Sequence, residues 1–252
     1  MNRRVRARLS RTVTRLLGWL ASRSPGLAFI VSDALAMFRR IASRAEVRAL
    51  FPNADAGRVL RRMSMTHVRT QLVAGWIRRA GVAPFHRLVR LNDALAQLRP
   101  PMILGTFHVG PILGVGVLTE RLNGETLVLR GRVGSTDMER AATFHRAIDR
   151  LRTNGFIVVA FDPYEAQRIA VPFLGRTLQL ARGPFAMARI ARVPILPVVA
   201  RWVGEEVELI VGDALPAGDE QTMAEAAGRW LEGYLREQPG EWSYRLRELS
   251  DR

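Results

Sequence analysis

The sequence predicts an α/β fold, a mostly parallel sheet covered by helices, with a helical N-terminal extension. Three observations lead there. From residue 101, short apolar runs alternate with helical stretches. Those runs are apolar throughout rather than at every second residue, so both faces of the sheet must be covered, which is the habit of parallel sheets. Before residue 99, apolar residues recur at helical spacing instead. The chain therefore divides into a helical N-terminal region, 1–98, and an α/β domain, 99–252.

Each element has its own signal. The stretch 58–79, "RVLRRMSMTHVRTQLVAGWIRR", is a helix by its apolar spacing, and its His67 reads as a packed or surface residue. So does His86 in the turn "GVAPFHRL". "PMILGTFH" (101–108) is a buried strand. "PILGVGVLTERLNG" then predicts a helix, with Pro111 in its first turn and Asn123-Gly124 as its stop. "ETLVLRG" (125–131) is a strand. Thr136 and Glu139 form a capping box for a helix ending at Asn154-Gly155. It carries His145, which reads as a surface residue. "FIVVAFDP" (156–163) is a third strand, followed by "RIAVPFLG" and a helix over 183–192. The strands 194–202 and 206–215 and a helix near 219–236 complete the pattern.

Composition narrows the function. The chain has 252 residues and no cysteine, which excludes disulfide and thiol chemistry. Net charge is +15, and all 38 basic residues are arginine. Such a surface suits a polyanion, an anionic membrane or an acidic partner protein. No nucleic-acid motif or aromatic stacking array accompanies the charge, which argues against nucleic acid. The four histidines are scattered, without metal-ligand spacing, so no metal is expected. The best candidate membrane span, "GLAFIVSDALAMF" (26–38), is too short and contains Asp33.

The N-terminus, "MNRRVRARLSRTVTRLLGWLASRS", has seven arginines and no acid. Val5, Leu9, Leu16 and Leu20 fall on one helical face. Two readings fit: a basic amphipathic helix lying on a membrane surface, or a helix packing on its own domain with a solvated basic face. Trp19 and Trp76 suit either a membrane interface or the core.

Ligands of open α/β sheets sit at the carboxyl ends of the strands. Three polar residues end strands here: His108, Arg130 and Asp162. A histidine serves as a general base at neutral pH, and an arginine holds a phosphate or an oxyanion. Asp162 either orients a histidine or caps the next turn. The main-chain N–H groups near Gly110, opening the expected helix, offer an anion site.

These residues carry a resemblance. "ILGTFHVG", "LVLRG", "LRTNGFIVVAFDP", "VPFLGRTLQLARGPFAMARIARVPILPVVARW" and "QPGEWSYR" occur in the order and spacing of the lipid A late-acylation acyltransferases. That family belongs to the lysophospholipid acyltransferase superfamily, and the similarity runs from about residue 40 to 247. It implies acyl transfer at the cytoplasmic face of a bacterial inner membrane, the protein being peripheral or held by its N-terminus. The donor would be acyl carrier protein or a coenzyme A thioester, the acceptor a lipid or glycolipid hydroxyl, with no cofactor and with anionic membrane lipids as surroundings. His108 would be the base, Arg130 a phosphate or oxyanion holder, and Arg176 and Arg182 substrate-side cations. The family's motif is His-x4-Asp/Glu, and here Leu113 holds the acid position. Asp162, ending a neighbouring strand, is the better replacement; Glu165 is a looser one. Glu120, seven residues farther along the expected helix, is too distant. A non-catalytic lipid-binding relative is the alternative.

Overall fold

The computed structural model describes residues 3–38, 42–91, 93–122, 124–129, 136–162 and 167–242. Six helices occupy most of the first 98 residues: α1 (Arg3–Arg23), α2 (Pro25–Met37), α3 (Arg44–Leu50), α4 (Ala56–Ala80), α5 (Ala83–His86) and α6 (Asp93–Ala96). A short strand, β1 (Val89–Arg90), lies among them. The rest follows as β2 (Met102–Thr106), α7 (Leu113–Leu118), β3 (Thr126–Leu129), α8 (Asp137–Arg152), β4 (Phe156–Ala160), β5 (Arg168–Phe173), β6 (Arg176–Ala181), α9 (Arg182–Ala191), β7 (Ile195–Val203), β8 (Glu206–Val211) and α10 (Glu220–Glu237). A 3₁₀ turn, Pro239–Glu241, comes after α10.

The main sheet has the order β1-β8-β7-β2-β4-β3, and only the β7–β8 pairing is antiparallel. This is the predicted α/β class. Alternate residues of the central strands are all apolar but face opposite ways. Ile103, Ile157 and Ile195 pack with α8, α9 and α10; Leu104, Val158 and Leu196 pack with α1, α2 and α7. The helix α4 has 25 residues and is therefore about 37 Å long. It serves both layers, through Val59 and Met63 on one side and Val68, Leu72 and Trp76 on the other.

Two local outcomes differ from the sequence pattern. The helix expected from Pro111 to Gly124 is only six residues, Leu113–Leu118. Gly114, Gly116 and two valines propagate a helix poorly. "RIAVPFLG" and the segment after it form an antiparallel hairpin, β5–β6, closed by Leu174 and Gly175 at φ of 50° and 73°. The pattern was concealed by Pro172, whose exposed edge position tolerates the missing N–H. At the N-terminus, α1 packs on its own domain through Val13, Leu17, Leu20 and Ala21, while Leu16 and Trp19 face outward. Trp76 is buried in the core.

Close packing of α1 on α4 depends on two glycines. A Cβ built on Gly18 would lie 2.3 Å from the Gly75 carbonyl carbon, and one on Gly75 would lie 2.1 Å from the Thr14 carbonyl oxygen. Gly18→Leu should lift α1 from α4 while the sheet stays folded. Overpacking of this kind costs about 1–3 kcal/mol, so local opening should increase about tenfold or more. Faster tryptic cleavage at Arg15 and Arg23 is the readout; an unchanged rate would refute the crossing.

Candidate active site

The carboxyl ends of β2 and β4 lie side by side, because Thr106 registers with Ala160. Phe161 then donates its N–H to the Thr106 carbonyl at 2.7 Å and accepts from the Ala181 N–H at 2.7 Å. Its ring stacks on Phe185 at 5.1 Å and tilts against Phe107 at 4.9 Å. Gly105 makes room for it, since a Cβ there would fall 1.8 Å from the ring. Phe161 is thus held by two strands and two rings, and it fixes the residue that follows.

That residue is Asp162, which is fully buried. Its Oδ1 lies 2.7 Å from His108 Nδ1. The main-chain N–H of His108 also donates to both carboxylate oxygens, at 3.0 and 3.2 Å. The acid therefore grips the backbone and the ring of one residue. The imidazole itself is 35% exposed, so its other edge is open to an incoming group. A carboxylate accepts and does not donate, so in the neutral imidazole the tautomer that bonds to Asp162 carries its proton on Nδ1 and leaves the lone pair on Nε2.

Leu113 takes no part in this contact; it packs against the apolar layer beneath α7. Glu120 approaches His86 instead, at 3.2 Å from Nε2. Gly110 has φ +58°, and a Cβ on it would lie 1.9 Å from the Ala200 carbonyl oxygen. Conformation and close approach account for this glycine. The helix expected to open at Gly110 begins three residues later, at Leu113.

Of the arginines singled out, Arg182 opens α9 directly after Ala181, the residue bonded to Phe161. Arg176 stands at the other end of β6, five residues or about 17 Å along the strand. The structure does not bring it to His108. Arg130 and Glu165 lie outside the described residues. His145 is exposed on α8, and His67 lies 3.2 Å from the Gln71 amide on α4. Among the described residues no group of three or more histidine, aspartate or glutamate side chains is placed to hold a metal, and no helix is long and apolar enough to cross a membrane.

One contributor had no sequence signal. Glu241 is 2% exposed and receives Arg62 Nε at 3.1 Å and the Thr66 hydroxyl at 3.4 Å. Its burial pushes the carboxyl up, against the opposing pull of Arg62. A Cβ on Gly110 would come within 3.2 Å of this carboxyl, so Glu241 and Arg62 back the loop that carries His108. Nothing in "QPGEWSYR" distinguishes this glutamate from a solvated one.

No protein-family model matches the sequence, and no curated protein does. Among solved structures, the fold is similar to the 1-acyl-sn-glycerophosphate acyltransferase PlsC from Thermotoga maritima. Identity is 13%, the TM-score is 0.43, and the match covers 86% of this chain and 99% of that one.

Proposed function

We propose that the chain is a membrane-associated acyltransferase. It moves a fatty acyl group from an acyl carrier protein or coenzyme A thioester to a hydroxyl of a lipid or glycolipid acceptor, lipid A-like or related. The observation that carries this reading is the 2.7 Å contact between a fully buried Asp162 and a partly open His108. The order of motifs along the sequence supports the substrate class. In the proposed step, the acceptor O–H meets His108 Nε2. Its oxygen bonds to the thioester carbon as its proton passes to Nε2. The C–S bond breaks, and the thiol leaves with that proton. Asp162 holds the ring in the required tautomer and stabilises the imidazolium.

A position on the cytoplasmic face of a bacterial inner membrane fits the surface of α1 and α2. Leu16, Trp19, Leu27, Ile30, Met37 and Phe38 are all exposed there, with Arg23 stacked 4.8 Å over Trp19. Apolar side chains beside an arginine-rich segment suit an anionic lipid surface.

The test is transfer of a radiolabelled acyl group from either thioester to a panel of membrane lipids. His108→Ala should lower transfer by about 10²–10⁴-fold; unchanged transfer would sink the reading. A second reading, a non-catalytic lipid-binding protein, is favoured by Leu113. Leu113→Asp separates the two. His108 has a single Nδ1, already occupied by Asp162, so a new carboxylate has no role to fill. The variant should gain no activity, and should lose about 2 kcal/mol by putting a charge against the apolar layer. That corresponds to a fall of about 4–8 °C in Tm. Transfer that appears only in Leu113→Asp would mean a site disused for want of an acid.

A further inference from the structure

A cleft of about 490 Å³ lies between the start of β5, one side of α9 and the first turn of α10. Arg168, Arg182, Arg189, Asp219, Glu220 and Gln221 line it, and Ile169 is its one apolar wall. Such a lining rejects an acyl chain. Its arrangement selects an anion. Glu220, buried at the base, accepts from Arg182 Nε on one oxygen at 2.5 Å and from Arg189 Nε on the other at 2.8 Å. Both guanidiniums are thereby fixed through their inner nitrogens. Their terminal N–H groups have no protein partner among the described residues, and both side chains are half exposed.

The acids do not compete for those terminal groups. Asp219 Oδ2 accepts from the Thr222 N–H at 2.9 Å and its hydroxyl at 3.1 Å, and Arg182 and Arg189 pair with Glu220 instead. Glu220 is spent on the two Nε atoms. Two guanidiniums, Arg182 and Arg189, against the one carboxylate of Glu220 leave a positive charge in excess at the base of the cleft. The N-terminus of α9, which has no side-chain cap, adds to that sign. Arginine forks presented side by side match the several oxygens of one phosphate better than they match a single carboxylate.

We infer that this cleft is a phosphate-binding site, with Glu220 pre-orienting Arg182 and Arg189 for the ligand. Along α9, Arg189 stands two turns, about 10 Å, beyond Arg182, and His108 is not among the residues that line the cleft. The phosphate belongs either to a soluble phosphorylated molecule or to a phospholipid headgroup.

Calorimetric titration at fixed ionic strength tests it, using pyrophosphate for the first source and micelle-free dihexanoyl phosphatidic acid for the second. Saturable one-to-one binding of at least one probe is expected, and the tighter probe identifies the source. Arg189→Gln should weaken it about tenfold or more, the loss of one charge-assisted contact. Arg229→Gln, an exposed arginine of α10 outside the cleft, should leave it unchanged. No saturable binding of either probe, or equal binding in Arg189→Gln, overturns the inference. His108→Ala should bind as the native chain does, so the outcome is independent of whether acyl transfer occurs.

Discussion

Asp162→Asn should lower kcat for acyl transfer by about 10³–10⁴-fold with little change in KM, the cost of a wrong histidine tautomer in a related arrangement. The geometry leaves asparagine no good orientation. Suppose its oxygen keeps the place 2.7 Å from Nδ1. Its NH2 then faces the His108 main-chain N–H at 3.0 Å, donor against donor, in a fully buried site. Suppose instead the amide turns over. The NH2 now faces Nδ1 and drives the ring proton to Nε2, which removes the base. Neither outcome depends on how substrate binds, so the loss belongs in kcat. Steady-state kinetics with the radiolabelled donor measure it. Asp162→Asn at native rates, with the fold confirmed by circular dichroism, would show that Asp162 serves only to hold the loop. Asp162→Glu separates charge from reach: the carboxylate survives, but in a filled site it cannot keep both contacts, and only partial recovery is expected.

How much of this was legible in the sequence follows from the range of each interaction. The strands β2 and β4 were readable because burial on both faces makes their residues apolar in a run. Their ends were readable for the same reason: His108 and Asp162 are the first titratable side chains after each run. That the two touch could be expected from parallel neighbouring strands, though not their 2.7 Å separation. The capping box of Thr136 and Glu139 was local and formed as written. The hairpin β5–β6 was hidden by Pro172 and by polar residues on its exposed face. The shortness of α7 was set by glycine content that the apolar periodicity masked. Glu241 and Glu220 were invisible because their partners lie far along the chain: Arg62 is 179 positions from Glu241, and Arg182 is 38 from Glu220. A buried acid and a solvated one look alike until the fold supplies the counter-charge.

The same limit explains Asp33, which interrupts the apolar stretch 26–38 and counted against a membrane span there. It is the partner of Arg69, 36 residues away on α4. Arg69 donates through Nε at 2.8 Å and through a terminal nitrogen at 2.7 Å, a bidentate pair. Its guanidinium also donates to the Gly204 carbonyl in the β7–β8 turn. It lies 5.3 Å from the Phe29 ring and 5.8 Å from Trp202. One side chain, 8% exposed, thus ties α2, α4 and the β7–β8 turn together. The two partners should respond unequally to mutation. Asp33→Leu leaves a buried cation without its acid, the case that costs about 3–5 kcal/mol. Asp33 itself is 41% exposed, so in Arg69→Met it is left solvated, and the loss comes from the Gly204 carbonyl and the ring contacts, about 2 kcal/mol. In a chain of this size 3–5 kcal/mol corresponds to a fall of about 6–20 °C in Tm. The double variant should be more stable than Asp33→Leu alone, because it removes the stranded charge and refills the space with apolar atoms. Thermal denaturation of the three variants measures this. A double variant less stable than both singles would mean that Arg69 contributes through its links to Gly204 and the two rings, with its pairing to Asp33 incidental.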